Sequence, residues 1–185
     1  MLKNRRINIF GGPCAGKSTI ASYLFAELKI KHYNVQFVEE YIKRWAYERR
    51  PPVSFDQIFL LAQQIHLEDI YLRNGVDFII TDCPLLVVYG FCLKNKLPFA
   101  EEVRRIAQHF ENAYPSMNIF LDRKGLEYQE KGRYERYEEA LEIDDLMEGI
   151  LIEERLDYWK VQSKEKEKIL QKILDHRSAT STISS

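Results

Sequence analysis

Gly11-Gly12-Pro13-Cys14-Ala15-Gly16-Lys17-Ser18-Thr19 satisfies G-x-x-x-x-G-K-[ST] at every fixed position. Its flanks decide what it is. Ahead of it, Ile7-Asn8-Ile9-Phe10 reads as a short apolar strand. Behind it, Ile20, Tyr23, Leu24 and Leu28 recur at helical spacing to Lys29. A strand, a glycine turn and a helix together make an anion site. Successive backbone N–H groups form a concave nest, and the helix adds its positive N-terminal end. Gly11 and Gly16 allow φ > 0 and a close approach of backbone to phosphate. Lys17 supplies a mobile charge for β- and γ-phosphates, and Ser18 a hydroxyl ligand for Mg²⁺. The whole stretch from Gly11 to Thr19, including Gly12, Pro13, Cys14 and Ala15, is therefore expected to hold ATP with Mg²⁺.

Working outward, Val35-Gln36-Phe37-Val38 reads as a second strand, and Tyr41 to Glu48 as a helix halted before Pro51-Pro52. Ser54 is placed to cap the next helix, with Asp56 in its first turn. Ile58, Leu61, Ala62, Ile65 and Leu72 give that helix an apolar stripe, and Asn74-Gly75 ends it. Phe78 to Asp82 is a third strand, apolar as a doubly covered strand should be. Pro84 to Lys94 reads as helix, and Val103, Ile106, Ala107 and Phe110 mark one face of another. Asn118 to Asp122 is a fourth strand. Residues 123–137 are charged and glycine-broken, the character of a mobile lid. Helical spacing resumes at Ala140, Ile143, Met147, Ile150 and Leu151, Tyr158 to Val161 suggests a fifth strand, and Ser163 a cap for a last helix through Leu174. The predicted fold is α/β: a five-stranded parallel sheet flanked by helices, one domain over 1–175. Residues 176–185, small and polar toward Ser185, are expected to be a disordered tail.

Ligands in such sheets sit at the carboxyl ends of strands. Asp82 closes an apolar strand, where a carboxylate can hold Mg²⁺ directly or through water. Glu39 and Glu40 end the second strand, where one of them can take a proton from an acceptor hydroxyl. Alternation along a strand sends them to opposite faces, and Glu40 is preferred. Arginines of the charged stretch, Arg133 first and Arg136 second, suit a lid that closes over phosphates. Gln64 could read a base edge, and Arg44 could contact substrate.

Several blocks carry a family resemblance: Ile9 to Thr19, Val38-Glu39-Glu40-Tyr41, Ile80-Thr81-Asp82-Cys83-Pro84, and Gly132-Arg133-Tyr134-Glu135 with Glu138-Glu139-Ala140 and Glu142-Ile143-Asp144. Over Ile7 to Leu174 the chain resembles the P-loop nucleoside and nucleotide kinases. Within them it is most similar to a phage-encoded group related to the nicotinamide-riboside kinase domain. The resemblance implies that the last block is a lid, with Glu135 where a glutamine is usual. Glu40-Tyr41-Ile42-Lys43-Arg44-Trp45 also resembles the Glu-Pro-x-x-x-Trp stretch of deoxynucleoside kinases, whose glutamate is the base. Those enzymes carry an arginine just after the strand-end acid, and this chain has Cys83 there. The phage group includes kinases of hydroxymethylated pyrimidines in DNA, so the acceptor stays open between a nucleoside, a nucleotide and DNA.

Composition narrows the classes. With 45% hydrophobic and 30% charged residues in 185, the chain is that of a soluble domain, and a net charge of −1 creates no global pull toward nucleic acid or anionic membrane. Basic clusters at Lys3, Arg5 and Arg6, at Lys43, Arg44, Arg49 and Arg50, and at Arg104 and Arg105 are the places to look for a DNA contact. Cys14, Cys83 and Cys92 show neither a pairing framework nor metal-ligand spacing, which suits a reducing cytoplasm. The expectation is an ATP- and Mg²⁺-dependent kinase, monomer or homodimer, away from membranes. The alternatives are a P-loop NTPase without an acceptor, or a nucleotide-binding module without turnover. Cys83 stands where motor ATPases usually place a water-activating glutamate, and Asn95-Lys96-Leu97-Pro98 lacks the aspartate of a GTPase base reader.

Overall fold

A computed structural model describes residues 5–128 and 135–182. Its order is β1 (Arg6–Phe10), α1 (Lys17–Ile30), β2 (Val35–Val38), α2 (Lys43–Tyr47), α3 (Asp56–Arg73), β3 (Phe78–Thr81), α4 (Leu85–Lys94), α5 (Ala100–Ala113), β4 (Ser116–Asp122), α6 (Tyr137–Glu153), β5 (Tyr158–Gln162) and α7 (Lys166–Thr182). The five strands are all parallel, in the order β2-β3-β1-β4-β5. The predicted sheet is thus the observed one. β1 is the central strand, at the point where the order reverses from the β2 side to the β4 side. Such a reversal leaves a crevice beyond the strand's carboxyl end.

Alternation along each strand divides the core into two layers. Ile7 and Ile9 of β1, Ile80 of β3, and Ile119 and Leu121 of β4 pack under Leu24 of α1 and Ile173 of α7. Phe10, Ile79 and Phe120 point the other way, into α3, α4, α5 and α6. The second layer carries polar groups that no apolar periodicity announces. Arg6, Asn8, Thr81 and Asn118 are buried on it, and α3 meets them with Gln64 and Glu68. This is why Ile58, expected in the α3 stripe, is 40% exposed while Glu68 is wholly buried. Ile106 is likewise turned outward, with Val103, Ala107 and Phe110 of α5 inside.

Several boundaries differ from the periodicity. Ser54 has φ 50°, so it lies in the turn before α3 and caps nothing; Asp56 instead accepts the Val53 N–H at 2.9 Å. Asn74 does end α3, and Gly75 follows with φ 74°. Ser163 opens a short 3-10 turn, Ser163–Glu165, ahead of α7, and the N–H of Gln162 donates to Glu165 at 3.1 Å. α7 continues past Leu174 to Thr182, so the stretch from 176 expected to be unstructured is helical to that point. Tertiary contacts explain the extension: Arg177 donates to Asp77 at 2.7 Å and its guanidinium lies over Tyr33, while the His176 ring stands edge-on to Trp159. Among the described residues no helix is long and apolar enough to cross a membrane.

Candidate active site

The turn between β1 and α1 wraps around its own glycines. Gly16 has φ 89° and packs close to Ser163 of the turn before α7, so any side chain there would be both strained and obstructed. Gly12 is a matter of space. A Cβ on it would fall 2.6 Å from the Ala140 carbonyl oxygen, 2.7 Å from Arg123 and 2.8 Å from Asp144. Its N–H donates to Asp144 of α6, which also holds Arg123 in an ion pair, and Arg123 donates to the Ala140 carbonyl at 3.2 Å. α6 is thereby pinned to the phosphate loop. Gly12→Ala should dislodge that contact, with the loss of ATP binding as the expected outcome; a nucleotide-induced thermal shift measured on wild type and variant checks it.

The Lys17 ammonium donates to the carbonyls of Gly11 and Gly12 at 2.8 and 2.9 Å. Ser18 donates to Asp82 at 2.6 Å, and the other oxygen of Asp82 accepts the Glu40 backbone N–H at 3.1 Å. The register explains this meeting. Thr81 pairs with Asn8 on one side and Val38 on the other, so Asp82, Glu40 and the loop all emerge from one edge of the sheet. A serine hydroxyl beside a carboxylate is a set of hard oxygen donors that suits Mg²⁺, whose remaining ligands are usually phosphate and water. The open nest of loop amides, the small residues around it and these two oxygens fit a nucleoside triphosphate with its metal.

These groups line a cleft of about 770 Å³, within the range of small-molecule sites. Lys17, Lys43, Lys94, Lys164 and Lys166 all border it and favour an anionic occupant. Beyond Asp82 and Glu40 the walls become apolar, with Leu60, Val87, Val88, Phe91 and Met147, interrupted by Gln57 and Gln64. The phosphate loop and an apolar wall thus share one cavity.

The expected residues divide. Lys17, Ser18, Glu40, Asp82 and Gln64 come together around the cleft. Glu39 is exposed and points away, as strand alternation requires. Arg44 is exposed as well; the cleft receives Lys43 instead, whose ammonium lies 3.5 Å from the Ser18 hydroxyl. One residue along a helix turns a side chain by roughly 100°, which is enough to exchange the two. Arg136 is the exposed residue preceding α6, where its N–H donates to Glu139 at 2.8 Å, and it does not border the cleft. Arg123, counted with the lid, is instead buried against Asp144. Arg133 lies outside the described residues. Of the basic clusters, Arg5 donates to backbone carbonyls of Leu72 and Val76, Arg6 is buried, and Arg104 pairs with Glu154.

Sequence reasoning passed over Lys43, Gln57 and Asp144. Gln57 carried a legible signal, since it lies two turns before Gln64 on the same face. Asp144 stands in the block that carries the family resemblance, but nothing local announces its contact, because its partner Gly12 is 132 positions away.

Cys83 follows Asp82 and is buried in the cleft wall. Burial pushes its thiol well above the ordinary value, and the Glu40 and Asp82 carboxylates add to the effect against a smaller opposite pull from Lys17. A raised pKa means less thiolate at any pH below it, so alkylation by iodoacetamide at pH 8 should be far slower than for an exposed cysteine. Peptide mass mapping over time checks this; rapid labelling of Cys83 would contradict the burial.

A search of curated proteins finds no match. The profile of a family described as an AAA domain matches residues 6–168, which takes in every strand and the whole phosphate loop. With a nucleotide-binding loop on a five-stranded parallel sheet, and that match over most of its length, the chain belongs to the AAA-domain family of P-loop nucleotide-binding proteins.

Proposed function

We propose that this protein is a kinase that moves the γ-phosphoryl group of ATP onto a hydroxyl of a nucleoside- or nucleotide-like acceptor. One observation carries the reading. The Glu40 backbone N–H donates to Asp82, and both residues line the one cleft that the phosphate loop shares with the apolar residues, so acids border both the phosphate loop and any molecule held beside it. A hydrolase needs only water at that point and gains nothing from a shaped apolar chamber. A kinase needs the chamber to hold an acceptor in line and to keep water out.

In this reading the bound Mg·ATP supplies an activated phosphoryl group and much of the charge neutralisation. Loop amides grip the polyphosphate, and Lys17, released from the Gly11 and Gly12 carbonyls, places its charge beside the transferring group. Ser18 and Asp82 hold the metal. Glu40 accepts the proton of the acceptor hydroxyl as the new O–P bond forms and ADP leaves. Lys43, whose ammonium lies 3.5 Å from the Ser18 hydroxyl, takes over the cationic role that Cys83 cannot fill. Arg133 remains the lid arginine in this scheme, and Glu40 is preferred to Asp82 as base because Asp82 already has both oxygens engaged.

Radiolabelled transfer from ATP tests the proposal with nucleosides, nucleotides and hydroxymethylated DNA as acceptors. ADP formation should require one of them, and labelled phosphate should appear on it. Phosphate released at the same rate without acceptor would move the protein to the hydrolases. Transfer to DNA alone, falling steeply with salt, would make DNA the acceptor. Lys43→Met should lower kcat by about tenfold or more with little change in the KM for ATP, since loss of one charge donor to a transferring group costs at least that much. Steady-state kinetics with saturating acceptor checks it.

A further inference from the structure

The acceptor end of the cleft contains two glutamines on one face of α3, and they are not equivalent. Gln64, almost fully buried, spends both amide hydrogens inside the protein: one on Glu68 at 2.8 Å and one on the Thr81 hydroxyl at 2.8 Å. The amide cannot be turned over. Doing so would set its oxygen against an oxygen of Glu68, which is wholly buried and paired with Arg6 at 2.8 Å. Arg6 is itself fixed by Glu111 at 2.7 Å and the Tyr114 carbonyl at 2.9 Å. The remaining Gln64 oxygen accepts nothing from the described residues, and Gln64 lines the cleft. Gln57, 6% exposed, borders the same cleft and makes no hydrogen bond of its own side chain to the described residues. Its amide, unpartnered among the described residues and bordering the cleft, is available to a polar ligand.

We propose that the buried Arg6–Glu68 pair locks Gln64 as an acceptor-only reader, so that the cleft selects molecules presenting an N–H donor, such as the amine or imide of a nucleobase. Gln57, about 10 Å along the helix axis, is free to meet a donor or an acceptor elsewhere on the same molecule. Gln64 is then the specificity residue, and Glu68 a positioning residue that never touches the ligand. A site of this kind rejects a ligand lacking the donor more strongly than it rejects a small change in shape, because its own oxygen would be left unpaired. The inference rests on the acceptor reading above.

The test is calorimetric binding to the full chain with the phosphate loop saturated by a non-hydrolysable ATP analogue, so that no probe enters the ATP site. Three pairs are compared: cytidine with 2-pyrimidinone riboside, adenosine with purine riboside, and uridine with 3-methyluridine. In the pair that binds best, the nucleoside bearing the donor should bind at least about tenfold more tightly, as one hydrogen bond to a buried group implies. Glu68→Gln, which lets the Gln64 amide turn over, should shrink that ratio below threefold while leaving binding of the ATP analogue unchanged. Equal binding within the pair by wild type would overturn the proposal, whether or not the variant folds. A full ratio retained in Glu68→Gln would overturn the locking by Glu68. If the analogue binds and neither the six nucleosides nor their 5′-monophosphates nor single-stranded DNA does, the acceptor reading itself falls, and this inference with it.

Discussion

Lys17→Ala should reduce ATP turnover by at least about 100-fold, the cost of removing one preorganised charge from a transferring group, and leave the fold intact. The second half of that expectation comes from the contacts. Among the described residues the ammonium bonds only to the Gly11 and Gly12 carbonyls, and both glycines line the cleft. No charged partner is stranded, so the thermal midpoint without nucleotide should stay within about 1–2 °C, the effect of a surface change. The stabilisation conferred by ATP should shrink at the same time, since a ligand's stabilisation grows with the logarithm of its concentration over Kd. A coupled assay for ADP and a melt with and without nucleotide separate the effects. Undiminished turnover would mean that the loop does not serve phosphoryl chemistry.

Arg6→Met should have the largest effect on stability. Arg6 is nearly inaccessible, and its partner Glu68 is completely so. Removing the cation leaves a carboxylate in the core with only the Gln64 amide for company, and stranding one member of a buried pair costs about 3–5 kcal/mol. Glu111 loses a partner as well, though it is closer to solvent and keeps Ser116 at 2.6 Å. For a chain of this size, that loss corresponds to a drop of roughly 10 °C in the midpoint. Urea denaturation should show a lower midpoint with an unchanged slope, the mark of altered stability with the same surface exposed. The double variant Arg6→Met with Glu68→Gln should recover much of the loss, because the wholly buried carboxylate is gone and only the more exposed Glu111 lacks its cation. Equal instability of the single and double variants would indicate that Arg6 matters for its packing on Phe110, over which its guanidinium lies at 4.8 Å.

The two variants probe the two ends of β1: Arg6 opens the strand, and Lys17 follows the loop at its carboxyl end. Lys17 belongs to a motif that announces itself, whereas Arg6 sits in a strand that reads as apolar and was grouped with surface charge. The difference lies in how each residue acquires its role. Lys17 and Ser18 are positioned by their immediate neighbours, the turn before them and the helix they open. Arg6 is positioned by Glu68 and Glu111, 62 and 105 residues away. A guanidinium that finds two carboxylates can be buried, and nothing local distinguishes it from one that finds water.

Gln64 shows the same boundary within one residue. Its helix and its nearness to the β3 strand end were readable, and so was an amide's capacity to recognise a polar edge. Which end of that amide faces the cleft follows from Glu68 and Thr81 and could not be read before the layers were assembled. Lys43 and Arg44 show it again. Either cation could have served, and the rotation of a five-residue helix on the sheet edge chose between them.

Read alone, the sequence determined the parallel sheet, the phosphate loop and the acid at the end of β3. Each depends on alternation, helical spacing or a glycine turn, interactions that span a few residues and are written consecutively. Only the tertiary structure decided which polar side chains are buried, which of two adjacent residues meets the cleft, and how α6 is fastened to the loop through Asp144. Those outcomes depend on charges and hydrogen bonds brought together from distant parts of the chain, where burial makes an unmatched partner costly and a matched one decisive.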